Sequence, residues 1–328
     1  NTLSVTTLGF QLVQSLRNGK KFREIRDIPQ TAFLCTKEEV TPNPFGEEVT
    51  LFSHDACRSD KLKQAKNFRV VEEQSNRLSA ARILQEVDNR ILVVNPPYPP
   101  MKEAEIDATF DLPYTRLPHP KYRGKTVPAY EMIKFSVNLH RGCFGGCSFC
   151  TISAHQGKFI ASRSKASILA EVEKIIRMPG FKGYISDLGG PSANMYRMQG
   201  KDLTICEKCK KPSCIFPKIC FNLNTDHTPL LEIYHAVDAL PGVKKSFIGS
   251  GIRYDLLLYR SNDEKANDSA HSYLHELITR HVSGRLKVAP EHTSEKTLQT
   301  MRKPSFELFS QFKRIFDELN EREALNQQ

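Results

Sequence analysis

Several things are missing from this 328-residue sequence. No stretch approaches eighteen consecutive apolar residues, so nothing reads as a membrane-spanning helix. The N-terminus has no basic-then-apolar leader, which argues against secretion and for a cytoplasmic protein. Repeats and low-complexity tracts are absent, and no block of five or six like charges occurs. There is no initiator Met, and the residues from Asn320 to Gln328 read as a helix cut short, so a fragment is expected. Hydrophobic residues make up 39%, enough for a core and too many for a disordered chain. Lys and Arg number 47 against 37 Asp and Glu, a net +10 that suits an anionic substrate or nucleic acid, or is ordinary solvated surface.

The nine cysteines are placed unevenly. Cys35 and Cys57 stand alone. Cys143, Cys147 and Cys150 form one group, and Cys206, Cys209, Cys214 and Cys220 a second. Tight groups in a cytosolic chain read as metal binding before disulfides.

Apolar spacing predicts a helix at 10–18, a strand at 31–35, mostly helix over 56–90 and a strand at 91–94. The proline- and aromatic-rich stretch to Pro128 reads as an extended crossing segment in which Phe110, Leu112, Tyr114, Leu117 and Tyr122 seek burial. A boundary falls near Val127–Glu131, giving an N-terminal α+β segment, 1–130, and a second part, 131–328. In that second part strands near 133–139, 181–188, 246–249 and 286–289 alternate with helices near 164–178, 228–240, 269–282 and 305–323. Such alternation argues an α/β fold, either a parallel βα barrel or a doubly wound sheet.

The first cysteine group follows the strand at 133–139 directly, with the spacing Cys-x3-Cys-x2-Cys and glycines at 142, 145 and 146. Three thiolates on one loop can each reach one iron of a [4Fe–4S] cubane. A closed cluster needs four, so one iron is left open. The ligands sit at the C-terminal end of a strand, where βα barrels carry their sites. The competing readings are a zinc site completed by His140 or His155, and buried free cysteines. The second group occupies a lysine-bearing insertion at about 200–224, where four thiolates in fifteen residues can enclose one zinc or an auxiliary iron–sulfur cluster.

Arg141-Gly142-Cys143-Phe144-Gly145-Gly146-Cys147-Ser148-Phe149-Cys150 resembles the signature of the radical S-adenosylmethionine (SAM) superfamily, with Phe149 as the aromatic before the last cysteine. This motif resembles the YgiQ family more narrowly, as do His155-Gln156-Gly157, Ser162-Arg163-Ser164, Asn224-Thr225-Asp226-His227, Gly249-Ser250-Gly251-Ile252-Arg253-Tyr254-Asp255 and Ala289-Pro290-Glu291-His292. The similarity runs from about Ile28 to the end. It implies a partial TIM-like radical SAM barrel of four βα units, with a further N-terminal segment and further barrel strands outside this sequence. It also implies a [4Fe–4S] cluster, SAM and a one-electron donor such as flavodoxin or ferredoxin. Reductive cleavage of SAM to a 5′-deoxyadenosyl radical would abstract hydrogen from a substrate the resemblance does not name. The other function class is a metal-stabilised nucleic-acid-binding module without SAM chemistry.

By the same resemblance Gly189-Gly190 looks like the glycine motif that meets the SAM amino group, or is a plain strand-to-loop turn. Ser250, Arg253, Asp255, Glu291 and His292 end the third and fourth strands. Arg253 would meet a carboxylate and Glu291 a ribose or substrate hydroxyl, or they form buried structural pairs. Arg163 is a cofactor contact or a solvated arginine. The family pattern includes Cys209, Cys214 and Cys220 and does not clearly include Cys206, so an open auxiliary cluster stands beside a closed four-thiolate site.

Overall fold

The computed structural model describes residues 2–328, a mixed α/β chain whose contacts divide it into two units. No helix of the described residues is long and apolar enough to cross a membrane.

One unit comprises Asn1–Pro100, Ala154–Lys158 and Asp202–Pro212. Its centre is a sheet of β1 (Ala32–Cys35), β2 (Glu48–Thr50), β3 (Arg82–Val87) and β4 (Arg90–Val94), in the order β1-β4-β3-β2. The β2–β3 pair is parallel and the others antiparallel. The strands expected at 31–35 and 91–94 are present. The expectation of mostly helix over 56–90 holds to Ser75, in the helices His54–Ser59 and Lys61–Ser75, and is corrected beyond it: 82–87 is strand. The reason is a hairpin. Val87 pairs with Arg90 across the two-residue turn Asp88-Asn89, with Asp88 at φ 52°, a conformation Asp tolerates. The helix Lys61–Ser75 starts where the Asp60 carboxylate accepts from the Leu62 N–H at 2.8 Å. Buried Arg82 pairs with Glu48 and donates to the Thr41 carbonyl at 2.8 Å, so its charge is matched inside the sheet.

The other unit comprises Met101–Ser153, Phe159–Lys201 and Ser213–Gln328. The stretch after Pro100 is not wholly extended: Glu103–Phe110 is a helix that buries Ile106. Leu112, Tyr114, Leu117 and Tyr122 are exposed at 40% or more, against the expectation of burial, because the proline-rich chain carrying them runs over the surface with no element above it among the described residues.

Two short parallel pairs follow. β5 (Ser136–Asn138) pairs with β9 (Asp187–Gly189), and β8 (Tyr184–Ile185) pairs with β10 (Lys245–Ser246). Ser186 interrupts the second expected strand, and its N–H turns to the Phe135 carbonyl at 3.0 Å. The fourth expected strand, 286–289, does not form. The Lys287 carbonyl takes one bond, from the Ile252 N–H, while the Leu286 N–H goes to the Gln328 carbonyl, so no ladder develops. An antiparallel pair, β6 (His140–Arg141) with β7 (Ala161–Ser162), brackets the cysteine loop.

Helices Lys165–Ile176, Thr228–Asp238, Glu264–Glu276 (continued by a π turn, Leu277–His281) and Phe306–Arg322 lie close to their expected places. The Ser164 hydroxyl caps the first by accepting from the Ser167 N–H. The apolar stripes Ile168, Val172, Ile175 and Leu230, Ile233, Val237 are fully buried, together with Leu188, Ile248 and Phe312. Each such side chain contributes about 1.5–3 kcal/mol, which fixes the strand ends that carry the site.

Candidate iron–sulfur and cofactor site

The loop after β6 turns sharply at Gly142, whose φ is +93°. A Cβ there would lie 2.3 Å from the Phe159 carbonyl oxygen, so the position is closed to any side chain. Beyond it Phe144 is buried, and its carbonyl accepts from the Cys214 N–H at 3.0 Å and the Ser213 hydroxyl at 3.4 Å. The Ser148 N–H donates to the Met301 carbonyl at 3.1 Å, and its hydroxyl to the Thr300 carbonyl at 2.7 Å. Arg302 reaches the Gly146 carbonyl at 3.4 Å. Segments near 213 and 300 therefore clamp the cysteine loop.

Cys143 and Cys147 flank Gly145. A Cβ at 145 would stand 3.3 Å from the Cys143 Sγ and 3.9 Å from the Cys147 Sγ. Burial pushes the Cys143 thiol up, opposed by the Gly145 backbone N–H and the Arg253 charge, while Cys147 and Cys150 add to the rise. Among the described residues no three His, Cys, Asp or Glu side chains are arranged to hold one metal ion. A cubane asks for a different arrangement, one thiolate for each of three irons. The Cys143 and Cys147 sulfurs lie beside Gly145, and the Cys150 N–H donates to the Cys147 carbonyl at 3.1 Å, so the third cysteine is tied to the same turn.

The other candidates form three further groups. Ser250 donates to Asp187 at 2.5 Å, and the Gly249 and Ser250 N–H groups donate to the same carboxylate at 2.9 and 3.1 Å. Gly189 lies under this cluster, where a Cβ would meet the Ser250 Oγ at 2.5 Å. At Gly190 a Cβ would meet the His140 ring at 2.6 Å. His140 is fully buried, and burial, then Arg141, lower its pKa to about 3. Arg253 forks onto Asp255 through Nε at 2.9 Å and Nη2 at 2.5 Å, while Nη1 faces the Cys147 Sγ at 3.7 Å. Glu291, at φ +68°, accepts from the nearly buried Lys303 at 3.4 Å.

Arg163 is not a solvated arginine. It is fully buried, and its three side-chain nitrogens reach the Asn138 carbonyl, Ser167 and Glu171, with Phe110 stacked 4.2 Å from its centre. Of the second cysteine group, Cys214 and Cys220 belong to the Met101 unit and pack beside Phe144, Leu223 and Cys143. Cys206 and Cys209 belong to the other unit, where the buried Lys158 ammonium lies 3.7 Å from the Cys209 Sγ.

Sequence reasoning missed Asp187, Asn194 and Lys303. Asn194 is fully buried; its amide donates to the Arg253 carbonyl at 3.0 Å and its oxygen accepts from the Arg253 N–H at 2.7 Å. No spacing links 187 to 250 or 194 to 253. The one available signal was an Asp two residues before a Gly-Gly strand end.

Residues 7–136 match the family model described as Radical SAM N-terminal. A UPF0313 protein of Bacteroides thetaiotaomicron is 65% identical over 96% of this chain and 50% of its own length. Another, of Porphyromonas gingivalis, is 59% identical over 97% of this chain and 50% of its own length. One from Bradyrhizobium diazoefficiens is 47% identical over 82% of the chain and 39% of its own length. The chain thus spans about half the length, or less, of these curated relatives. With a radical SAM model covering the sequence up to β5, and relatives mostly identical across almost the whole chain, the protein belongs to the UPF0313, YgiQ-type family of the radical SAM superfamily.

Proposed function

We propose that this chain carries the core of a radical SAM iron–sulfur enzyme, with Cys143, Cys147 and Cys150 ligating a [4Fe–4S] cluster that leaves one iron for SAM. The observation that carries this reading is the pair of Cys143 and Cys147 sulfurs beside Gly145, with Cys150 bonded through its backbone to Cys147, on a loop clamped from both sides. When bound, such a cluster supplies the electron for reductive cleavage of SAM to a 5′-deoxyadenosyl radical, which takes hydrogen from substrate.

The chain's own part is positioning and exclusion of water. β5, β8–β9, β10 and the 286–289 segment make up a partial TIM-like barrel in this reading, and their C-terminal ends carry the site. Gly142 turns the chain sharply into the loop that carries the three thiols. Gly189-Gly190, Ser250 and Glu291 line the cofactor side, with Asp187 holding Ser250 and Lys303 holding Glu291. The reductant is a one-electron donor of the flavodoxin or ferredoxin type, and the substrate is unassigned.

The test is anaerobic reconstitution, reduction and incubation with SAM, followed by assay for 5′-deoxyadenosine. Cys143→Ala, Cys147→Ala and Cys150→Ala should each abolish it; full production by any one of them would overturn the ligand assignment.

A further inference from the structure

Arg253 is poorly placed to serve as a mobile substrate clamp. Its side chain is 11% exposed and that of Asp255 6%. Two of its three nitrogens are held by the Asp255 carboxylate in a planar fork, and Asn194 grips its backbone through both N–H and C=O. Such a fork leaves the guanidinium no freedom to swing. The remaining nitrogen, Nη1, lies 3.7 Å from the Cys147 Sγ, within hydrogen-bonding reach of sulfur. It also lies 3.5 Å from where a Cβ of residue 145 would stand, which places the guanidinium directly against the cysteine loop. An arginine guanidinium does not deprotonate in proteins, so the group is a permanent cation.

We propose that Arg253 tunes the cluster: its Nη1–H donates to the Cys147 sulfur and raises the reduction potential of the bound [4Fe–4S] centre, with Asp255 as the residue that positions it. This rests on the functional reading above. Reduction adds one negative charge to the cluster. A fixed cation beside a ligand sulfur favours the more negative state, and hydrogen bonds to cluster sulfurs act in the same direction. Asp255 opposes this from the other edge of the guanidinium and from farther away, so the arginine dominates.

The experiment is a redox titration of the reconstituted protein, followed by the spectrum of the reduced cluster. Arg253→Gln is compared with Arg253→Gln/Asp255→Asn, which leaves no unpaired buried charge and so protects folding. Both variants should load a cluster and show a lower midpoint, lower still in Arg253→Gln, where the Asp255 charge survives. At a fixed potential near the wild-type midpoint, the ratio of reduced to oxidised cluster should fall about tenfold, equivalent to about 59 mV for one electron. Loaded protein that forms 5′-deoxyadenosine while both variants keep the wild-type midpoint would overturn the tuning and leave the functional reading intact. Wild-type protein that forms no [4Fe–4S] cluster would overturn both.

Discussion

Replacing Gly142 by alanine separates two costs that glycine usually hides together. At φ +93° an L-residue is strained, which costs about 1–2 kcal/mol. The new methyl would also stand 2.3 Å from the Phe159 carbonyl oxygen and 3.3 Å from the Ile160 Cα. Those are backbone atoms next to the β6–β7 pair and cannot rotate away, so the loop itself must shift, at roughly 1–3 kcal/mol more. The sum, roughly 2–5 kcal/mol, is below the stability of an ordinary domain. The variant should fold, melt roughly 5–15 °C lower, and bind markedly less iron on reconstitution, because the displaced atoms lead directly into Cys143. Gly124→Ala is the control. Its φ is +76° with nothing within 4 Å of the added methyl, so it bears only the conformational cost, about 2–6 °C, and keeps its iron. Equal melting shifts and equal iron contents in the two variants would refute the contact with Phe159 as the reason for glycine.

Three further outcomes are expected. Arg163→Lys should destabilise the protein by about 2–3 kcal/mol in denaturant titration, since an ammonium cannot reach Asn138, Ser167 and Glu171 together; a change under 0.5 kcal/mol would contradict the buried network. Ser250→Ala should cost about 1–2 kcal/mol by removing one of three donors from the partly buried Asp187, and should weaken SAM binding, measured by calorimetry on loaded protein, without lowering iron content. The third concerns acid. His227 is fully buried, and its folded pKa is lowered to about 4, by burial first. A histidine lowered from 6.5 holds fewer protons folded than unfolded, so its stabilisation is full above pH 6.5 and is lost as pH falls toward 4, at up to about 1.4 kcal/mol per pH unit. His227→Gln should flatten that limb of the stability–pH curve, and an unchanged slope would count against it.

Much of the second half of the fold was legible because its helices bury regular stripes. Ile168, Val172 and Ile175, or Leu230, Ile233 and Val237, repeat at helical spacing and occur in helices near the expected places. The 82–87 strand was misread because Ile83, Leu84 and Val87 also fit a helical stripe, and the Asp88-Asn89 turn that decides between them is a weaker signal than Asn-Gly. The exposed aromatics at 114 and 122 show that large apolar side chains do not by themselves report burial. The three cysteines of the loop were legible as a group because they are neighbours in sequence. The supporting atoms were not, because Asp187, Asn194 and Lys303 act on residues 63, 59 and 12 positions away, and chain spacing carries no trace of those meetings.

The clamps on the cysteine loop also set a timetable. Ser148 is anchored to a carbonyl 152 residues later and Gly146 to a side chain 156 residues later. At a synthesis rate of 5–20 residues per second, roughly 8–30 s separate the emergence of the three thiols from that of the groups that hold them in place. During that interval the nascent loop has its cysteines but not its shape. If the loop holds the proposed cluster, a carrier delivering iron and sulfide would meet a competent receptor only after residue 302 has been made, and any thiol chemistry before that point would compete with loading.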